Sequence, residues 1–263
     1  MQTDVPTKLA GAKALYQAWQ QRDLTRAGAT TLIEAIEVPG RPIKPELISP
    51  TAVKQRKLTT LEGRLALLHA VAHIEFNAIN LALDAVYRFR EMPDEYYGDW
   101  LQVASEEAYH FALVCERMNG LGMQYGELEA HNGLWDQACR TAHDVMVRMA
   151  LVPRVLEARG LDVTPPMMQR LREAKDMDSV AVLEVILREE VGHVRIGSHW
   201  YHYCCNQRGL EPESTFKQLL RALPTPPRSP FYTEGRLQAG FSEQELVMML
   251  ELEQQWLTEL RQR

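Results

Sequence analysis

The sequence is poor in long apolar runs, so no segment that enters or crosses a membrane is expected. Its start, Met1-Gln-Thr-Asp-Val-Pro, has neither the basic opening nor the apolar run of a signal peptide, and no later stretch offers about eighteen uninterrupted apolar residues. We therefore expect a cytoplasmic protein with no membrane partner. A basic field is missing too. The formal net charge is −6 and the most basic stretch, Lys54 to Lys57, is short, so nucleic acid is not the default partner. Cysteine is scarce: Cys115, Cys139, Cys204 and Cys205 form no C-x-x-C pair, and adjacent cysteines suit neither zinc nor a relaxed disulfide. Reduced, mostly buried thiols without a functional role are the expectation.

Internal repeats and low-complexity tracts are absent as well, and proline and glycine collect between long helical patterns. With 263 residues, 46% of them hydrophobic, the chain suits one compact domain with terminal extensions. Residues 1–58 read as a short helix, Lys8 to Gln21, followed by a Pro-rich extended wrap, Val38 to Pro50. Residues 59–210 read as four long amphipathic helices: Thr60 to Phe89, Pro93 to Asn119, Leu134 to Arg159 ending at Gly160, and Ser179 to Asn206 ending at Gly209. Residues 211–263 read as a C-terminal extension, with a connector from Leu223 to Pro230 and a last helix from Ser242 to Arg261, packed outside the bundle. Four long helices with few strand signals predict an all-α four-helix bundle.

The chemistry lies in a spacing that occurs twice. Glu107-Ala-Tyr-His110 stands on the second long helix and Glu190-Val-Gly-His193 on the fourth. At about 100° per residue, positions three apart share a face one turn apart, so a carboxylate and an imidazole can converge on a metal. Each acid interrupts an apolar stripe: Trp100, Val103, Ala104, Phe111, Val114 and Met118 around Glu107, and Leu183, Ile186, Leu187, Val194, Gly197 and Tyr201 around Glu190. Glu75 does the same among Leu68, Val71, Ala72, Ile79 and Ala82. A buried carboxylate costs several kcal/mol unless a cation, a partner or a proton satisfies it.

A dinuclear carboxylate site takes one Glu from each of two helices and a Glu-x-x-His from each of the other two. Glu75 is the natural single acid of the first helix. On the third, the line Met146, Ala150, Pro153, Glu157 and Leu161 favours Glu157, with Asp144 as the competitor if Pro153 breaks the helix earlier. For any one acid, a structural ion pair with a neighbouring arginine is as good an account as metal. His69 and His73 point away from Glu75 and read as core or supporting groups, while Tyr109 and Tyr201 could hydrogen-bond near the site.

Six segments carry a resemblance that spans most of the chain: Arg41-Pro-Ile-Lys-Pro-Glu-Leu47; Glu62-Gly-Arg64 with Leu67-Leu-His-Ala-Val-Ala-His-Ile-Glu75; Ser105-Glu-Glu-Ala-Tyr-His-Phe111; Glu157-Ala-Arg-Gly-Leu-Asp162; Glu189-Glu-Val-Gly-His193; and Ala239-Gly-Phe241. In that order they resemble a bacterial family of ferritin-like proteins catalogued as domain-of-unknown-function family 455. The resemblance implies a ferritin-like fold and metal ligands at Glu75, Glu107, His110, Glu157, Glu190 and His193, with the Glu157 segment favouring that residue over Asp144. It implies no substrate. By site pattern the nearest functional neighbours are dinuclear-iron hydroxylases, one of which acts on a modified transfer-RNA adenosine, together with ferritins and rubrerythrins. No rubredoxin-like cysteine knuckle is present here.

The resulting expectation is a cofactor of two metal ions, iron first, then manganese or a mixed pair. It would activate O2 or peroxide against a small or tethered substrate, with an unknown electron donor and a homodimer as the oligomer to test. Iron handling as a ferroxidase is the alternative, and a metal-free helical interaction protein the second alternative. Gly197, one turn past His193, is expected to leave room for substrate, against the plainer reading of close helix packing.

Overall fold

The computed structural model describes residues 2–25, 32–54 and 56–262. Of the expected N-terminal helix and wrap, residues 1, 26–31 and 55 lie outside the described residues, and Gln55 of the basic stretch with them. The chain is all-α: among the described residues the only strand-like pairing is an isolated parallel bridge between Leu47 and Ala130. Two compact units emerge, one of residues 1–140 and 168–185, the other of residues 141–167 and 186–263.

In the first unit, α1 (Val5–Gln20) starts three residues earlier than the sequence predicts, because Asp4 caps it by accepting from the Thr7 N–H at 3.0 Å. Next, α2 (Leu61–Arg88) is capped by Thr60, whose hydroxyl accepts from the Gly63 N–H. After the short 89–93 turn, α3 (Asp94–Gly120) packs back along α2, and α1 lies on α3. Helix α2 is long and apolar enough to cross a membrane, yet 78% of its most apolar window is buried within the protein, as befits a core helix. The Pro-rich wrap runs beside the segment that leads into α4 (Gly133–Arg140): Ala130 N–H donates to Glu46 O, Ile48 N–H to Ala130 O, and the Trp135 indole to Glu37 O.

One buried carboxylate ties three helix ends together. Asp176 accepts from Arg117 near the end of α3 at 2.8 Å, stands 2.9 Å from Arg64 in the first turns of α2, and caps the start of α7 through the Ser179 N–H. Burial alone would raise its pKa. The bonds from Ser179 and Arg117 outweigh that and hold it below the usual carboxylate range.

The third long element departs from expectation. Instead of one helix from Leu134 to Arg159, the chain forms α4, a turn, α5 (Val145–Leu151), a π-helical stretch (Val152–Glu157) and α6 (Ala158–Glu173). Asp144 stops and restarts the chain by accepting from the Met146 and Val147 N–H groups as the cap of α5. Pro153 cannot donate a backbone bond, and the wider π turn accommodates it. Gly160 does not end the helix, because Ala158, Leu161, Met168 and Leu171 keep a buried stripe running through Pro165 and Pro166. Burying such a face outweighs the ~1 kcal/mol that a helical glycine costs.

The long helix α7 (Met177–Gln207) matches its prediction within two residues at each end and stops where Gly209 adopts φ +63°. Beyond it, the second unit adds α8 (Pro212–Arg221), α9 (Thr233–Gln238) and α10 (Glu243–Gln262). The first two were not foreseen in the sequence. This unit is organised around two buried arginines. Arg154 forks onto Glu245, both distances 2.7 Å, and lies over the rings of Tyr201, Phe216 and Phe241. Arg236 forks onto Asp162 at 2.9 and 2.8 Å and lies over Phe231 and Phe241. Glu245 also closes a capping box with Ser242, each side chain accepting from the other's backbone N–H at 3.0 Å.

Candidate metal centre

Helices α2 and α3 bring Glu75, Glu107 and His110 together within the first unit. Every residue of the two apolar stripes that flank them is buried, as are Glu75 at 3% exposure and both Glu107 and His110 at 0%. The His110 Nδ1 atom stands 3.2 Å from Glu75 Oε2 and 3.6 Å from Glu107 Oε2. Two carboxylates thus share one imidazole in a dry setting. Burial pushes the Glu75 carboxyl up, the Glu107 charge adds to that, and the His110 bond only partly opposes it. For His110, burial works to lower the pKa, but its bonds to Glu107 and Glu75 and their charges together raise it well above the usual imidazole value.

In the second unit, Glu190 and His193 stand on α7, with His193 buried, Glu190 Oε1 3.5 Å from His193 Nδ1, and the Glu190 side chain 13% exposed. Glu107, His110, Glu190 and His193 form a Glu/His group that could hold a metal ion. Glu157, half-buried, is the last residue of the π-helical stretch. Its sequence competitor, Asp144, is committed elsewhere: besides capping α5 it forks onto Arg208 at 2.7 and 3.0 Å. That ion pair lowers its pKa against the effect of burial.

Several other expectations are corrected here. Gly197 opens no substrate space, since a Cβ there would sit 2.3 Å from both Cβ and Cγ of Pro153. The glycine serves close packing of α7 against the π turn. Tyr201 donates to Pro212 O at 2.7 Å, and Tyr109 is 51% exposed. Cys139 is exposed rather than buried, and none of the four cysteines forms a disulfide. His69 and His73 are core groups: His69 Nε2 accepts from the Gly126 N–H at 3.0 Å, and the His73 ring bridges Tyr125 Oη at 2.9 Å and His131 O at 3.0 Å. Both rings stack on Tyr125, so they hold the loop after α3.

An all-α chain with a largely buried Glu/His group able to take a metal is thus the class that fold and site define. The chain belongs to the family described as "Protein of unknown function (DUF455)", matched over residues 1–247. An uncharacterized protein from Haemophilus influenzae (strain ATCC 51907 / DSM 11121 / KW20 / Rd) is 50% identical to it over 221 residues, covering 81% of this chain and 77% of the relative. No solved structure matches. The resemblance read from the six segments holds at the level of family, and two of the segments meet through Arg236. Asp162, which closes the Glu157 segment, anchors Arg236, and Phe241 of the Ala239-Gly-Phe segment underlies both buried guanidiniums.

Proposed function

We propose that the chain is a ferritin-like dinuclear-metal protein of the cytoplasm, acting as an O2- or peroxide-dependent oxidoreductase on a small or tethered substrate. In this reading residues 59–210 supply a four-helix bundle through α2, α3, the α5–α6 run and α7. Residues 1–58 and 211–263 are its extensions. The observation that carries the reading is the Glu/His group of Glu107, His110, Glu190 and His193. Glu75 and Glu157 complete the set of four carboxylates and two imidazoles that such a centre uses.

The residues fit two cations. Carboxylate oxygen and imidazole nitrogen suit iron and manganese alike. Two carboxylates buried around His110 leave negative charge that cations would balance, where replacement by protons alone demands the raised Glu75 pKa. Redox-active ions bound there would supply the electrons and open coordination positions for O2 or peroxide. The chain's own part is to hold them through Glu75, Glu107, Glu157 and Glu190, and to exclude bulk water with the buried stripes of α2 and α3. The His110 ring, set between the Glu75 and Glu107 carboxylates, would give up the proton it shares with them in order to take a cation.

The test is elemental analysis of protein expressed in iron-replete medium. The reading requires about two equivalents of metal per chain, reduced together by Glu107→Ala and by His193→Ala. Less than about a tenth of an equivalent in the wild type removes it. Anaerobically reconstituted protein exposed to O2 with a cell metabolite extract, followed by mass spectrometry, then separates an oxidoreductase from a ferroxidase, which would consume O2 and leave every organic component unchanged.

A further inference from the structure

A cavity of about 810 Å³ lies in the first unit, within the ~300–1,000 Å³ range of small-molecule sites. Its walls are mostly apolar, with Ala12, Leu15 and Trp19 of α1, Val86 of α2, and Tyr97 and Leu101 of α3; Arg90 also lines it and donates to Tyr87 O at 3.1 Å. Two polar side chains in that lining are buried, Lys8 at 5% exposure and Asn80 at 0%. The Lys8 ammonium donates to Asn80 Oδ1 and stands 5.1 Å from the centre of the Phe76 ring. Among the described residues no carboxylate forms an ion pair with it. Glu34, which also lines the cavity, is exposed, and its backbone N–H donates to the Tyr87 hydroxyl.

A buried ammonium without a carboxylate is costly, and burial lowers the Lys8 pKa to about 8. A lysine serving only as a helix surface residue would reach water along its flexible stem, whereas this one turns inward beside an accessible apolar space. The chemistry that suits a buried ammonium beside such a space is an anion attached to an apolar body. Asn80 can assist, since its Nδ2 uses one hydrogen on Phe76 O at 3.4 Å and amide nitrogens carry two.

We propose that this cavity binds an apolar monocarboxylic acid, with its carboxylate on Lys8 Nζ and Asn80 Nδ2 and its hydrocarbon body against Leu15, Val86 and Leu101. None of the six candidate metal ligands lines the cavity, so the proposal stands apart from the metal reading.

Calorimetric titration of the full chain with decanoate and with decanol tests it. Decanoate binds, and decanol binds at least about tenfold more weakly, as loss of a charge-assisted hydrogen bond implies. Lys8→Met weakens decanoate to the level of decanol, and Val86→Trp, which fills the cavity away from the amine, removes both. Equal affinity for the acid and the alcohol, no binding of decanoate, or decanoate binding unchanged by Val86→Trp each overturns the proposal. The head-group comparison uses wild-type protein, so it decides the matter even if Lys8→Met does not fold.

Discussion

Gly192 and Gly197 stand five residues apart on α7, and the structure assigns the same substitution opposite signs at the two. A Cβ at Gly192 meets nothing within 4 Å. Gly192→Ala therefore gains only the helix-propensity and chain-entropy benefit, about 0.5–1 kcal/mol of stability. At Gly197 the new methyl would lie 2.3 Å from two carbons of Pro153, more than an ångström inside ordinary van der Waals contact. Those carbons belong to a rigid ring on a neighbouring backbone, so relief requires α7 and the π turn to separate. A 2.3 Å approach to a rigid ring puts the cost at the upper end of the about 1–3 kcal/mol that overpacking takes, and after crediting the propensity gain a net loss of about 2 kcal/mol remains. Urea denaturation of wild type and both variants, fitted for ΔG and m, measures the two signs directly. If Gly197→Ala is as stable as wild type, the Pro153 contact is not what the glycine serves. If Gly192→Ala is destabilised as well, the space beside it is occupied.

The Arg154–Glu245 pair yields a second expectation. Glu245→Leu leaves a guanidinium at 0% exposure without its counter-charge, for a loss of about 3–5 kcal/mol, while the double variant Arg154→Met/Glu245→Leu recovers much of it. A double-mutant cycle in denaturant measures this, and simple additivity of the two single losses would refute it. Lys8 imposes a pH dependence. Its pKa is near 8 in the folded chain and higher when unfolded, so between those values the unfolded state binds more protons and stability rises with pH. Below about pH 8 both states are charged and the penalty is constant. Thermal melts across pH 7–10 should show this rise in wild type and lack it in Lys8→Met.

The helices that frame the candidate centre were legible because their signals agreed. In α2, α3 and α7 an unbroken apolar stripe, a capping residue or flanking proline, and a terminal glycine or turn all point to the same boundaries. The repeated Glu-x-x-His spacing could be read for the same reason, since a helix fixes which residues share a face. The third element resisted because two local signals were overridden. Asp144 looked like a candidate ligand, but its partner Arg208 lies just past α7, far along the chain, where spacing gives no information. Gly160 looked like a stop, but the stripe from Ala158 to Leu171 continued past it. The short α8 was visible in principle: Glu211 caps it with Pro212 in its first position, a helix-start signature. The Ser242-x-x-Glu245 box was readable, whereas its bond to Arg154 was not. Long-range ion pairs have no sequence period.

The π turn at Val152–Glu157 has a consequence for anyone altering this chain. A π turn holds about one residue more than an α-helix of the same rise, so it acts as a phase shifter: the downstream helix is rotated by about 100° from where an unbroken one would carry it. Glu157 and Asp162 both lie downstream of that insertion or at its edge. Removing a single residue from the turn would leave the composition almost untouched and could restore a plain helix. It would also turn Asp162 away from Arg236 and re-aim Glu157. At this point on the chain, length is the more sensitive variable, and a shortened helix could be better wound and wrongly aimed.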